Sequence, residues 1–216
     1  MTDERRPVRV FFEKSGRAVY LSHLDLLRTV QRAIKRSGLP VWYSEGYNPR
    51  IYLNFPLALP VGCEGANEAV DFYTIGDIPA DVLTASLNSA FPDGIHAISA
   101  AAPVCSNKDI AAAEYEIFLE GLTAADVDTF MSKESITVQK HSKKKGMVEI
   151  DIKPHITVTE TTDRDDGTLV TLRLPAGNEL NINAALFTDA LTAEKGGCVR
   201  YTKRTKILCK DGSEFK

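Results

Sequence analysis

Ser22-His-Leu-Asp-Leu-Leu-Arg-Thr-Val-Gln-Arg-Ala-Ile-Lys-Arg-Ser-Gly-Leu-Pro40 holds the start, the buried stripe and the stop of one helix in a single run. Ser22 followed by Asp25 is a capping box: the hydroxyl accepts from the Asp25 amide and the carboxylate reaches back to Ser22. Leu24, Leu27, Val30 and Ile34 recur at helical spacing and form the expected buried stripe. Ser37-Gly38 and then Leu39-Pro40 end the helix. Upstream, Val8 to Lys14 reads as a strand, Ser15-Gly16 as a tight turn and Arg17 to Leu21 as the return strand of a hairpin. Downstream, Val41-Trp-Tyr43 is a short strand. The run Tyr43-Ser-Glu-Gly-Tyr-Asn-Pro-Arg50 is a loop, because Gly46 and Asn48-Pro49 interrupt regular structure.

The rest of the chain repeats a mixed pattern. Ile51 to Leu59 is extended, with Pro56 suited to an edge or a bulge, and Pro60-Val-Gly62 turns the chain. A strand over Glu68 to Ile75, a helix over Pro79 to Ala90 and a strand from Ile95 to about Ala101 follow. Pro103 to Lys108 reads as a hinge, after which the pattern restarts. Strands are expected over Glu114–Glu120, Ile136–Lys140, Met147–Ile152, Leu169–Leu174 and Val199–Leu208, with another running to Glu160. Helices are expected from Thr123, the cap of a second capping box with Asp126, to Met131 and over Asn181–Leu191. Strand pairs with interposed helices, twice, define an α+β fold. Two ferredoxin-like α/β-sandwich halves with mainly antiparallel sheets are expected, residues 1–105 and 106–216, able to pack into one continuous sheet. A parallel doubly wound sheet fits poorly, since hairpin turns are frequent and no Gly-rich phosphate loop follows a strand.

Composition bounds the function. The chain has 216 residues, 44% apolar and 25% charged, ordinary for a globular protein with a sizeable core. No apolar run approaches the ~20 residues that span a bilayer. The N-terminus lacks a secretory apolar segment and reads as a short disordered lead. Cys63, Cys105, Cys198 and Cys209 are widely spread, with no CxxC pair and no zinc or iron–sulfur spacing. Reduced thiols in a cytoplasmic protein are the expectation, with no cofactor and no metal. The net charge of -3 hides an asymmetry. Residues 1–50 carry ten Lys or Arg against five acids, whereas residues 51–105 carry six acids and no Lys or Arg. A localised basic face fits this better than indiscriminate nucleic-acid coating.

Several groups could carry chemistry. Arg28, Arg32, Lys35 and Arg36 fall on one face of the helix, which is either solvated or a phosphate contact. Ser22 and His23 open the helix where free amides attract anions; His23 is a candidate polar contact to the Tyr43–Arg50 loop. In that loop Tyr43 and Tyr47, with Tyr52 just beyond, offer rings, Ser44, Glu45 and Asn48 offer polar edges, and Arg50 offers a guanidinium. Rings beside cations suit single-stranded RNA, whose bases stack while its phosphates pair with cations. The bland alternative is a loop folded onto its own tyrosines. Further cations are Lys140, Lys143, Lys144 and Lys145 at the hairpin, and Arg200, Lys203, Arg204 and Lys206 on the last strand, where Arg200, Thr202, Arg204 and Lys206 share a face at period two. Lys153, beside Pro154 and His155, is an additional polar candidate. No nucleophile elbow, Walker loop or HExxH is present.

Tyr20-Leu-Ser-His-Leu-Asp-Leu26, Arg32-Ala33, Gly38-Leu-Pro40, Tyr43-Ser-Glu-Gly-Tyr-Asn-Pro49 and Ala58-Leu-Pro-Val-Gly62 together resemble the radical SAM-linked proteins of bacteria. Glu114-Tyr115 and Lys144-Lys-Gly146 through Asp151-Ile-Lys-Pro154 also look like that family. The resemblance implies a cytoplasmic partner of a radical S-adenosylmethionine enzyme, encoded beside it or fused to it, and by genomic company a link to RNA or the ribosome. Lys153 stands where that family's pattern has arginine, and Tyr47 where phenylalanine is frequent. The chain has no CxxxCxxC and so cannot itself hold a radical cluster.

The expected function is therefore an accessory recognition module for RNA or a ribosome-related substrate, without catalysis of its own. One alternative is an enzyme with a cleft around His23, Glu45 and Arg50, in which His23 and Glu45 are catalytic candidates. The other is a protein-docking domain that uses Ile51–Leu59 or the acidic 64–93 region.

Overall fold

The computed structural model describes residues 4–142 and 146–216. The disordered lead expected over residues 1–7 is already strand from Arg5 onward; residues 1–3 and the lysines Lys143, Lys144 and Lys145 lie outside the described residues. The fold is α+β, and the chain divides into two compact units. One comprises residues 1–109 with 214–216, and the other residues 110–213.

In the first unit β1 (Arg5–Lys14) is the central strand, antiparallel to β2 (Cys63–Ile75) on one side and β3 (Ile95–Ala101) on the other. Helices α1 (His23–Arg36) and α2 (Ala80–Ala90) supply the second layer. Val10 and Phe12 of β1, Val70 and Phe72 of β2, and Ile95 and Ala97 of β3 alternate toward that layer. There they meet Leu26, Val30 and Ile34 of α1 and Leu83 and Leu87 of α2. Period two on the strands and period 3.6 on the helices thus point into one core.

Two local expectations change here. Gly16–Tyr20 is a 3-10 turn rather than a returning strand. Gly16 sits at φ 55°, and the Ser15 amide donates to the Gly94 carbonyl, so the end of β1 is tied to β3's side of the unit and no hairpin forms. Leu24 is 61% exposed, and the buried stripe of α1 is Leu26, Val30, Ala33 and Ile34. The helix begins at His23, and its apolar arc falls one step away from the register that Leu24 would need. Ser22 caps α1 by accepting from the Asp25 amide at 3.2 Å, while the Asp25 carboxylate takes the Ser22 hydroxyl at 2.7 Å. Such a cap is worth about 1 kcal/mol.

A ferredoxin-like half needs a fourth strand at the outer edge of β2, and the first unit puts an irregular segment there. The Trp42 amide donates to the Tyr73 carbonyl and the Ile75 amide to the Pro40 carbonyl. Asn54 and Asp71 exchange both backbone bonds, at 3.0 and 2.7 Å. Between these anchors the chain leaves the edge as a loop closed by a bridge from Tyr43 to Ile51. Asn48-Pro49, Gly46 at φ 123° and Pro56 prevent a continuous ladder.

The second unit has the whole pattern. Its strands are β4 (Ile110–Glu120), β7 (Thr157–Arg164), β8 (Gly167–Pro175) and β9 (Cys198–Cys209), and its helices are α3 (Ala124–Met131) and α4 (Ala184–Lys195). They run β9-β4-β8-β7, all neighbours antiparallel, which is the ferredoxin-like order. A two-stranded hairpin of β5 (Thr137–Ser142) and β6 (Gly146–Asp151) is inserted after α3. Ala113, Tyr115, Ile117 and Leu119 of β4 and Val170, Leu172 and Leu174 of β8 are buried. The rings of Phe130 and Phe187 meet at 6.0 Å and join α3 to α4. Both halves of the Thr123–Asp126 capping box are formed.

In the first unit Arg9 is almost wholly buried and bonds Asp71 through a two-pronged fork at 2.7 and 2.8 Å. Its other nitrogen donates to the carbonyls of Cys105 and Lys216, and its plane lies 4.0 Å from the centre of the Phe215 ring. Arg9→Met should lower the stability of the chain by about 3–5 kcal/mol, because it leaves the Asp71 charge without its partner. Urea unfolding measures this, and a loss under about 1 kcal/mol would show that the fork is an ordinary surface pair.

Candidate nucleic-acid interface

The outer edge of the first unit forms a groove of about 700 Å³ between α1 and the irregular segment. Leu27, Arg28, Gln31 and Lys35 of α1 make one wall, and Ser44, Asn48, Pro49, Arg50, Tyr52 and Leu53 make the other, with Trp42 and Ile51 between. Three lining side chains are cationic and, among the described residues, none is a carboxylate. Lys35 and the Arg50 guanidinium have no acidic partner among the described residues, and Arg28 has a loose contact with Asp25 at 3.4 Å. The lining is cationic, and Asp25, the acid in contact with Arg28, also serves the helix cap.

Local chemistry holds this wall in place. The Ser44 amide donates to the Arg50 carbonyl at 2.8 Å, and the Arg50 amide donates back to the Ser44 hydroxyl at 3.0 Å. Ser44 is thus the clasp of the loop as well as part of its lining. Trp42 meets Tyr73 edge-on at 5.9 Å, and Tyr52 meets Tyr73 at 5.8 Å on a tilt. The Arg5 guanidinium lies 5.0 Å from the Trp42 ring and 5.2 Å from the Tyr73 ring. Trp42 and Tyr52 of the groove lining form a ladder of rings through Tyr73, which does not itself line the groove, with a cation over Trp42 and Tyr73. The ladder is preorganised, since every ring but Tyr52 is at least partly buried.

The sequence-derived candidates sort differently once folded. Arg28, Ser44, Asn48 and Arg50 come together in the groove, with Tyr52. Tyr47 is fully exposed and Tyr43 partly so, and neither lines it. His23 sits at the start of α1 with its ring edge-on to Phe55 at 5.5 Å, so it contacts the core-packed Phe55 rather than the loop. Glu45 is exposed and also outside the lining. A cleft shared by His23, Glu45 and Arg50 is therefore not formed by these side chains. Arg32 and Arg36 turn to the other flank of α1, because a spread of 28, 32, 35 and 36 covers about 100° of helix rather than one line. Arg36 donates to the Ala90 carbonyl at the end of α2, at 2.7 Å.

The remaining candidates belong to the second unit. Arg200 pairs with Asp166 at 2.5 Å and Glu120 at 3.4 Å. Arg204 is buried, whereas Arg200 and Lys206 are exposed and pair with Glu120 and Glu114 of β4, so Arg204 does not share their face as period two predicts. The pairing of β4 with β9 shifts register between Glu114 and Tyr115 and again between Phe118 and Leu119. Each bulge flips the alternation of β9. Lys153 donates to the Met131 carbonyl at the end of α3, which makes it a helix cap. Lys144 and Lys145 lie outside the described residues.

The docking surfaces expected from sequence are also altered. Ile51, Leu57 and Leu59 are buried, while Tyr52 and Ala58 of the same run are exposed, so its three large aliphatic side chains at 51, 57 and 59 are not offered as a docking surface. Glu68 is buried and Asp71 is engaged by Arg9, which removes two charges from the acidic 64–93 surface. Trp42 and Gln31 are the polar or aromatic groove residues that sequence reasoning passed over as ligand contacts, together with Tyr73, which meets the Trp42 and Tyr52 rings without lining the groove. Trp42 is the chain's only tryptophan and directly precedes the loop, a signal that could have singled it out. Among the described residues no three His, Cys, Asp or Glu side chains gather as metal ligands would, and no helix is long and apolar enough to cross a membrane.

An α+β chain whose first ferredoxin-like unit replaces an edge strand with a basic, ring-lined groove is the class that fold and site define. Residues 7–184 match the family described as uncharacterized protein conserved in bacteria (DUF2344), and the chain belongs to that family. It is also similar to the crystal structure of an unknown protein from Galdieria sulphuraria, with 15% identity, 93% of this chain and 99% of that chain covered, and a TM-score of 0.28. No curated protein matches the chain in sequence.

In the second unit Glu114 accepts from Arg173 at 2.8 Å and pairs with Lys206 at 3.2 Å. The Arg173 hydrogen bond, followed by Lys206, holds its carboxyl below the ordinary glutamate value near 4.5 against the opposing effect of burial. The lowered pKa means that this group's stabilisation is complete above the ordinary value and is lost as pH falls through the folded one. Glu114→Gln should therefore flatten the acid limb of stability below about pH 4.5. Urea midpoints across pH check this, and parallel curves for the two proteins would refute it.

Proposed function

We propose that this chain is an accessory recognition module that binds single-stranded RNA in the α1–loop groove and presents it to a separate radical SAM enzyme. The groove carries the reading: Arg28, Lys35 and Arg50 stand around Trp42 and Tyr52 with no lining carboxylate among the described residues. Cations hold phosphates without regard to sequence, and rings accept any base. Gln31, Ser44 and Asn48 supply donors and acceptors for base edges or the ribose hydroxyl. The volume suits one or two nucleotides, within the ~300–1,000 Å³ of small-ligand sites. The link to a radical enzyme is supported by the sequence resemblance of Tyr20–Gly62.

Fluorescence anisotropy with short unstructured RNAs at two salt concentrations tests the groove. Three phosphate contacts should give a slope of log K against log salt of about -2. Trp42→Ala should weaken binding about tenfold through lost stacking. Lys35→Glu with Arg50→Glu should abolish it, whereas Arg200→Glu, whose parent pairs with acids of its own unit, should not. Absence of affinity at low salt, or indifference to the Lys35 and Arg50 changes, rules RNA binding out.

The partner enzyme has a separate surface in this reading. Tyr20, Leu24 and Val61 are 74%, 61% and 59% exposed, and the Gly62 amide donates to the Val19 carbonyl beside them. Leu24→Glu should remove co-purification with the radical enzyme while leaving RNA affinity unchanged. Retained co-purification would move the docking face elsewhere.

A further inference from the structure

The opposite flank of α1 holds a second cavity of about 390 Å³, lined by Arg17, Ala18, Leu21, Thr29, Arg32, Arg36, Pro92 and Asp93. Three of these are arginines and one is a carboxylate. No ion pair joins Asp93 to any of them, and the guanidinium groups of Arg17 and Arg32 have no partner among the described residues. Both are exposed. Ala18, Leu21 and Pro92 give the cavity an apolar floor.

The two cavities share one helix. Arg28 lines the first, Arg32 and Arg36 line the second, and Lys35 returns to the first. Residues four apart on a helix are displaced by about 6 Å along its axis. Arg28, Arg32 and Arg36 thus form a cationic ridge that leads from the Trp42 groove over α1 to Arg17. Acids are scarce along it: Asp25 sits at the capped end of α1 and Asp93 at the far rim.

We infer that the ligand is an oligonucleotide rather than a mononucleotide. One or two bases stack in the Trp42–Tyr52 groove, and the following phosphates cross α1 over Arg28 and Arg32 to end in the Arg17–Arg32–Arg36 cavity. Polarity requires this division of labour. The first cavity has rings and polar edges and so takes bases, while the second has guanidinium groups and no ring and so takes phosphate. The inference rests on the RNA reading above and adds ligand length and path to it.

Binding of oligouridylates of increasing length, from a dinucleotide upward, to the full chain tests the path. Affinity should climb with length until the strand reaches Arg17 and then level off. In the double variant Arg17→Gln, Arg32→Gln that climb should disappear, and the salt slope for the longest strand should fall by about 1.4, the share of two single-strand phosphate contacts. An unchanged melting temperature shows that the variant is folded, and Arg17→Lys, Arg32→Lys should restore most of the slope. A climb with length that persists in the glutamine variant overturns the path and leaves groove binding intact. Affinity independent of length in the unaltered chain overturns it also. Failure of every length to bind overturns both the path and the RNA reading.

Discussion

A guanidinium taken out of water needs a partner on each of its nitrogens, and Arg9 finds them in an unusual set. Its fork closes on Asp71 of the neighbouring strand, and its remaining nitrogen bridges the carbonyls of Cys105 and Lys216. Asp71 in turn accepts from the Asn54 side chain and exchanges backbone bonds with the same residue. Asn54 and Asn107 hydrogen-bond each other side chain to side chain. One buried charge pair thus fastens β1 to β2, pins the outer irregular segment, and holds Cys105 and Lys216 in place within the first unit. Because a charge pair at low dielectric tolerates no loose partner, these strands of chain are located to within hydrogen-bond geometry.

That anchoring has a direct consequence for the groove. An irregular segment at a sheet edge would ordinarily be free to pair, slip or flatten. Here it is held at Pro40–Trp42 and at Asn54 by backbone bonds to β2, and it is clasped at the root of its loop by Ser44 and Arg50. The tip, with Glu45 and Tyr47, extends into solvent, and Asn48, Pro49 and Arg50 behind it are exposed as well. The rings of Trp42, Tyr73 and Tyr52 are set against one another before any ligand arrives, which lowers the entropy lost on binding. The second unit has a regular edge strand in the corresponding place, β7, and its Arg200, Lys206 and Lys153 are engaged within the unit by Asp166, Glu120, Glu114 and a helix carbonyl. The difference between the units is therefore chemical as well as topological.

The charge asymmetry acquires a physical meaning in this arrangement. Of the cations concentrated in residues 1–50, Arg9 and Lys14 are buried, Arg28, Lys35 and Arg50 line one flank of α1, and Arg17, Arg32 and Arg36 line the other, while the acid-rich stretch that follows has interior uses for Glu68 and Asp71. A chain with a net charge of -3 can still present a positive groove, since counting charges says nothing about which of them are already neutralised.

Much of this was readable from residues alone wherever a signal was local. Ser22 and Thr123 as caps, Gly38 and Pro40 as a stop, the strand over Ile95–Ala101 and the break at Asn48-Pro49 all depend on neighbours a few residues away, and so they survive folding. The α+β class follows from the same periodicities. What failed was non-local. Whether Arg17–Leu21 paired back on β1 depended on Gly94, far along the chain. Whether Arg204 faced water depended on bulges set by the register against β4. Whether Lys153 and Arg36 were free depended on carbonyls at the ends of other helices. The sequence by itself determined which elements exist and that rings and cations lie close together near Tyr43–Arg50. Only the tertiary structure decided which cations remain unpaired, because a charge is neutralised by groups brought near in space, and their distance along the chain places no limit on that.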